Sequence, residues 1–282
     1  MLILNKLLLT IKLIRADKPV AYLLVFFPAL FGLLLANPSN TELAHLLPLF
    51  ILGSIMTRSS GCIINDIFDR KFDKHVARTK DRPLASKALS VSYAIFILFI
   101  LSVISLCILL LLNKTAIYTG FFAVIMISLY PLMKRITYFP QIFLGFSFKL
   151  GALIAYAAVQ DKLDMAAIIM YIACCFWAIG YDTIYGYMDI KDDKKIGVKS
   201  LSVYLENKHP KLWLYICYIG CILLFILATK MANHNIDYLP ILAALIILIL
   251  QVATLDIENP TDCMTRFRAN NYVGVLLSLV FC

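Results

Sequence analysis

The feature that most constrains this chain is the length of its apolar runs. Between residues 19 and 282 the sequence divides into nine apolar segments, at about 19–36, 43–64, 91–112, 115–132, 139–159, 166–187, 211–229, 238–255 and 270–282. A helix crossing a hydrocarbon core takes about 20 apolar residues. The segments lack the period-two alternation of barrel strands and are too long for them. Helices satisfy their own backbone hydrogen bonds in lipid. The expected fold is therefore an all-α, polytopic membrane helical bundle with nine transmembrane helices. With 62% of its 282 residues hydrophobic and 15% charged, the composition excludes an ordinary soluble domain. We expect one domain over 1–282, with 1–18 as an interfacial amphipathic segment, apolar with spaced lysines.

The basic residues fix an orientation. Of 26 Lys and Arg, twenty-one fall before the first segment or in the loops after even-numbered segments, and three fall in the alternate loops. Basic loops stay on the cytoplasmic side. The N-terminus is expected in the cytoplasm and the C-terminus outside. The net charge of +9 thus reports topology and gives no reason to invoke nucleic acid. The eight cysteines form no CxxC and the four histidines no ligand pair, so neither a zinc site nor a disulfide framework is indicated. The short N-terminus shows no signal-peptide pattern and points to a bacterial cell inner membrane. No obligate protein partner is evident.

Two acidic clusters stand out. "GCIINDIFDRKFDKHVARTKDRPL" (61–84) follows the second apolar segment and carries Asn65, Asp66, Asp69 and Asp73. Asn65, Asp69 and Asp73 are spaced i, i+4, i+8 and line one face of a helix that continues out of the membrane, with Asp66 on its shoulder. "YDTIYGYMDIKDD" (181–193) follows the sixth segment and carries Asp182, Asp189 and Asp193, again one stripe, with Asp192 pointing elsewhere if the helix persists. Both stripes end even-numbered segments, so they are expected at the cytoplasmic boundary, facing a common cavity. A solvated loop of alternating charge accounts for Arg70, Lys71 and Lys74. It fits the stripes less well, because Asn65 and Asp66 begin before the apolar run ends.

Divalent metal would stabilise such clusters. Mg²⁺ prefers hard oxygen ligands and typically takes one or two carboxylates together with substrate phosphates. Arg78, Lys80 and Arg82 on one side, and Lys194, Lys195 and Lys199 on the other, suit the same anion. The residues alone predict a Mg²⁺–diphosphate site opening into an apolar bundle, fitted to a substrate with a diphosphate head and a hydrocarbon tail.

The sequence resembles the UbiA-type intramembrane aromatic prenyltransferases. Their NDxxDxxxD motif is matched by Asn65, Asp66, Asp69 and Asp73, and their DxxxD motif by Asp189 and Asp193. "RADKPVAYLLVFFPALFGLLLA", "RTKDRPLASKALS", "YPLMKRITYFPQIFLGFSF", "YDTIYGYMDIKDDKKIGVKSL" and "FRANNYVGVLL" are similar to the 4-hydroxybenzoate polyprenyltransferase branch. The resemblance implies transfer of a polyprenyl group from a polyprenyl diphosphate to 4-hydroxybenzoate, ortho to the phenol oxygen, in ubiquinone biosynthesis. It implies Asp69, Asp73, Asp189 and Asp193 as catalytic. Mg²⁺ would be held among Asn65, Asp66, Asp69, Asp73, Asp182, Asp189 and Asp193. Arg135, in the "MKR" string, is implied as the partner of the acceptor's carboxylate, beside Lys134 as a positive-inside anchor. Arg15 joins the substrate-binding set. Arg58, two turns below Asn65, is expected to contact substrate or an acid, since an intramembrane arginine is costly. Tyr130, Tyr181 and Tyr185 are candidates to face an allylic cation, with ordinary packing as the alternative.

Two residues depart from the family pattern: Lys149, inside the fifth segment, and Glu206, where a glycine is usual. Haem or naphthoate prenyltransferases share the expected fold and metal site and differ in acceptor. A CDP-alcohol phosphotransferase needs DG and AR dipeptides that the first cluster lacks. A cation transporter would carry its acids near mid-bilayer rather than at one face.

Overall fold

The computed structural model describes residues 2–281; the side chains of residues 2, 3, 134 and 196 lie outside that description, and with them the expectation for Lys134. The described residues are mainly helical, with no strand among them. Helix α1 (Leu2–Ile14) leaves Leu4, Leu7 and Leu8 exposed and buries Leu13 against the bundle, an amphipathic face on a bundle that lipid surrounds. Arg15 adopts φ 63°, a left-handed residue that ends the helix and turns the chain into α2 (Val20–Leu35).

Helix α3 (Asn40–Asp69) starts in a capping box between Ser39 and Glu42 and runs 30 residues. At about 1.5 Å per residue it is about 45 Å long, longer than a hydrocarbon core of about 30 Å. Its C-terminal end carries Asn65, Asp66 and Asp69. Helices α4 (Val91–Leu110) and α5 (Lys114–Ile136) follow, each capped by a side chain, Ser90 and Asn113 respectively. Phe96 and Phe99 of α4 and Phe121 and Phe122 of α5 are exposed, as a lipid-facing surface requires.

The fifth apolar segment is not one helix. It divides into α6 (Pro140–Phe148) and α7 (Gly151–Gln160), with the break at Lys149 and Leu150. Helix α8 (Met165–Gly186) continues through a 3-10 turn (Tyr187–Asp189) into α9 (Ile190–Ile196), and α10 (Leu201–Leu205) closes that loop. The last three helices are α11 (Pro210–Met231), α12 (Tyr238–Ala253) and α13 (Pro260–Ser278).

Among the described residues, six helical stretches are long and apolar enough to cross a membrane: α3, α4, α5, α6 with α7, α8 with its extension, and α11. The apolar helices α2 and α12 are shorter, at 16 residues each. The ninth segment was expected at 270–282. Its helix instead begins ten residues earlier, at Pro260, and its first half is polar, with Asp262, Arg266 and Arg268. Asn259 and Pro260 start the helix, and such local cap chemistry is invisible to a hydropathy window.

The core lies where α8 packs along α11, and where α2 packs against α7 and α13. Trp177 is fully buried there beside Phe27 and Phe31. Its indole N–H donates to Asn270 Oδ1 at 2.7 Å, tying α13 to α8. The α2–α7 approach needs a glycine: a β-carbon on Gly32 would stand 1.9 Å from the Ala152 carbonyl oxygen.

The buried Lys149 has a specific partner. Pro28 lies inside α2 and has no N–H, so the carbonyl four residues earlier, that of Leu24, loses its helical donor. Lys149 Nζ donates to that oxygen at 2.7 Å. The lysine that departs from the family pattern thus satisfies the acceptor that the proline frees. Lys149→Met should cost about 1–3 kcal/mol, the penalty of a buried unsatisfied carbonyl. Adding Pro28→Ala should recover most of that loss, because α2 then supplies its own N–H. Thermal unfolding of the single and double variants in detergent measures this coupling; equal loss with and without Pro28 would contradict it.

Candidate active site

Two long loops leave the bundle on the same side and dock on one another. From the loop after α3, Arg78 Nε donates to Asp189 Oδ1 at 2.8 Å, and its Nη2 pairs with the other carboxylate oxygen. Its Nη1 donates to the Tyr185 hydroxyl at 2.7 Å. One residue earlier, the Ala77 backbone N–H donates to Asp192 Oδ2 at 3.0 Å. Residues more than a hundred positions apart are thereby joined, and the two acidic clusters share one end of the bundle. Burial opposes the Arg78 charge, but Asp189 and Tyr185 outweigh it and hold the guanidinium above its ordinary pKa.

The first cluster is held by its own arginines. Asp66 is 1% exposed, and both its oxygens accept from Arg15 Nη2, at 2.7 and 2.9 Å. Arg82 Nη1 donates to Asp66 Oδ1 at 3.2 Å and to Asp73 Oδ2 at 2.9 Å. Burial pushes the Asp73 carboxyl above its ordinary pKa; Arg82 draws it back, and the Asp66 and Asp69 charges push it further up.

The expected stripes are modified in detail. α3 ends at Asp69, so Asp73 is not on that helix; it opens a 3-10 turn (Asp73–His75) and returns to the cluster through Arg82. The second stripe is interrupted by the 3-10 turn at Tyr187–Asp189. That bend turns Asp192, expected to point elsewhere, toward the opposite loop.

The remaining candidates divide. Arg135 Nη2 donates to the Phe68 carbonyl at 3.0 Å, and its guanidinium lies 5.4 Å from the Phe72 ring centroid. It therefore caps the C-terminal end of α3, where a cation is favoured. Lys194 pairs with Glu206, so the second departure from the family pattern supplies that lysine's counter-charge. Lys199 Nζ is 3.4 Å from the Ile136 carbonyl. Lys80 is exposed. Arg58 reaches from α3 toward α8, where Tyr181, Asp182 and Tyr185 lie within its electrostatic range. Sequence reasoning found neither the Ala77–Asp192 contact nor the Asp66–Arg15 pair, and neither leaves a local signal, since each joins distant segments.

The donors fit a hard divalent cation. Asn65 Oδ1 is buried with no hydrogen-bond partner, an acceptor in want of a positive group beside carboxylates. Among the described residues no three His, Cys, Asp or Glu side chains converge as a ready metal cluster, because arginines hold Asp66, Asp73 and Asp189.

Acidic and arginine-rich loops thus dock on one another at one end of an apolar helical bundle. The family model for the UbiA prenyltransferase family matches residues 25–274, and the chain belongs to that family. A relative named 4-hydroxybenzoate octaprenyltransferase from Francisella tularensis subsp. mediasiatica (strain FSC147) is 35% identical over 268 residues, covering 95% of this chain and 94% of its own. One of the same name from Pseudomonas aeruginosa (strain LESB58) is 34% identical over 269 residues, covering 95% of this chain and 90% of its own. Among solved structures, the apo UbiA homolog from Aeropyrum pernix K1 superposes with TM-score 0.76 at 22% identity, covering 92% of this chain and 96% of that one. A UbiA homolog from Archaeoglobus fulgidus bound to GPP and Mg²⁺ gives TM-score 0.66 at 17% identity, covering 96% and 100%. These structures establish a shared fold.

Removing the Asp66 carboxylate would strand Arg15 and leave Arg82 with Asp73 alone. Breaking a buried pair from one side costs about 3–5 kcal/mol. Asp66→Ala should therefore lower thermal stability markedly and free the turn after α1, so that trypsin cuts after Arg15 faster than in the parent protein. An unchanged tryptic rate at Arg15 would contradict this coupling.

Proposed function

We propose that the chain transfers a polyprenyl group from a polyprenyl diphosphate to 4-hydroxybenzoate, ortho to the phenol oxygen. The observation that carries the proposal is the Arg78–Asp189 pair, which brings both acidic clusters to one end of an apolar bundle. The names of relatives at 34–35% identity over nearly the whole chain support the acceptor. The GPP and Mg²⁺ bound to the A. fulgidus homolog support the donor class and the metal. Haem or naphthoate prenylation would use the same clusters with another acceptor.

In this reading Asn65, Asp69, Asp73, Asp189 and Asp193 hold Mg²⁺, while Asp66 holds Arg15 and Arg82 in position. Asp182, on the membrane side of the second cluster, completes the acidic set. Mg²⁺ supplies charge neutralisation of the departing diphosphate. Arg78 and Arg82 exchange carboxylate partners for phosphate oxygens, to which guanidinium groups bind in the same forked way. Closed loops exclude water, and an allylic cation formed beneath them meets the aromatic ring, which loses a proton after the carbon–carbon bond forms. Tyr181 and Tyr185, packed edge-on and tilted against Phe267, are the aromatic rings this reading offers to the cation.

The distribution of Lys and Arg supports nine spans, a cytoplasmic N-terminus and a site at the cytoplasmic face of a bacterial inner membrane. The whole chain then acts as one domain, with α1 lying on the inner leaflet.

Membranes carrying the chain, supplied with polyprenyl diphosphate, 4-hydroxybenzoate and Mg²⁺, should yield the ring-prenylated acid. Asp69→Asn and Asp189→Asn should each lower turnover by roughly a hundredfold or more while remaining in the membrane. Undiminished turnover in EDTA would refute the metal-assisted mechanism, and product from another acceptor alone would refute the acceptor.

A further inference from the structure

One part of the loop-bearing end is built of aromatic rings and lysines rather than acids. Tyr138 and Phe139 lie in the turn between α5 and α6, and Tyr204 lies on α10. The Tyr204 ring packs against Phe139 at 5.3 Å between centroids and against Tyr138 at 6.2 Å. All three side chains are more than a third exposed, and Ile136 beside them is 66% exposed. Lys208 Nζ stands 3.9 Å from the Tyr204 ring centroid. Lys199 Nζ stands 5.5 Å from that of Tyr138 and 3.4 Å from the Ile136 carbonyl. Ring faces and a carbonyl orient an ammonium group but leave its charge uncancelled.

The charge here is one-sided. Residues 135–143 and 198–211 carry Arg135, Lys199, Lys208 and Lys211 against a single acid, Glu206. Glu206 pairs with Lys194, while Arg135 and Lys211 donate to backbone carbonyls. Lys199 and Lys208 thus flank the rings as two positive charges that no carboxylate of these segments offsets. Phe143, one turn beyond Phe139 on α6, and Leu212, in the first turn of α11, are exposed as well. The patch therefore borders the apolar surface that faces lipid. Tyrosines flanked by lysines suit the head-group layer of a membrane. A free phosphate would use the lysines alone. The exposed rings and Ile136 fit a ligand that brings apolar substance along with its negative charge.

We propose that the Tyr138–Phe139–Tyr204 patch binds an anionic phospholipid, with Lys199 and Lys208 on its phosphate and the rings against its glycerol and upper acyl chains. Helix α10 packs on α9, so lipid bound here anchors the loop that carries Asp192. The site uses none of the acidic residues and is independent of the prenyl-transfer reading.

Native mass spectrometry of the full chain in detergent, titrated with dioleoylphosphatidylglycerol or dioleoylphosphatidylcholine, tests this. The parent should bind its first phosphatidylglycerol about tenfold or more tighter than phosphatidylcholine, since each lysine beside an anionic lipid contributes about fivefold. Lys208→Gln should weaken phosphatidylglycerol about fivefold and leave phosphatidylcholine within about twofold. Lys208→Arg keeps the charge and should bind as the parent does. Lys230→Gln makes the same charge change at the other end of α11 and should not alter either affinity. Millimolar inorganic phosphate should leave the lipid bound. No preference for phosphatidylglycerol in the parent, full affinity in Lys208→Gln, or equal loss in Lys208→Gln and Lys230→Gln would overturn the proposal. Displacement of the lipid by inorganic phosphate would assign the lysines to a free anion and overturn it as well.

Discussion

Pairing of arginine with carboxylate, across loops far apart in sequence, is the interaction on which this end of the bundle depends. Burial raises the pKa of the Asp73 carboxyl, and the nearby charges of Asp66 and Asp69 add to that cost. Left alone, such a group would protonate or drive the loop out into solvent. Arg15, Arg82 and Arg78 prevent that, and each does so by bridging: α1 to α3, the first loop to itself, and the first loop to the second. The same forked donors that hold carboxylates are chemically suited to phosphate. In the proposed reaction the arginines exchange one kind of anion for another, so that binding of the head group and arrangement of the loops are one event.

Below that polar end, the bundle solves a different problem. Lipid offers no hydrogen bonds, so each backbone group released by an irregularity must find a partner inside the protein. Pro28 releases the Leu24 carbonyl, and the break between α6 and α7 places Lys149 to take it. A buried polar link of this kind fixes where α2 and α7 meet, next to the contact at Gly32 that tolerates no side chain. Trp177 and Asn270 make a second such link between α8 and α13.

Much of this was readable before any coordinates. Apolar runs located the helices, because spanning lipid leaves a sequence little freedom. The i, i+4 spacing of Asn65 and Asp69 placed them on one helix face, and local spacing is what periodicity reports. What the sequence did not disclose depended on distant partners or on the way a helix ends. Extrapolating one helix from Asn65 to Asp73 failed because α3 stops at Asp69, where Arg135 from another helix donates to the Phe68 carbonyl. Asp192 was expected to point elsewhere only if the helix persisted; a 3-10 turn interrupts it before α9, and the Asp192 carboxylate accepts from the Ala77 N–H. The Asp66–Arg15 pair spans 51 residues, and the purpose of Lys149 emerges only once α2 and the α6–α7 break are side by side.

The central claim is that the two acidic clusters close over one another to make a single site. Cysteines placed at Ala77 and Asp192, whose backbone and side chain meet at 3.0 Å, test it in native membranes by mild oxidation or a short bis-thiol reagent, with mass spectrometry of the joined peptides. Rapid linkage between the two loops is the result this account predicts. Linkage no faster than between cysteines on opposite ends of the bundle would mean that the clusters do not meet, and the shared site would have to be abandoned.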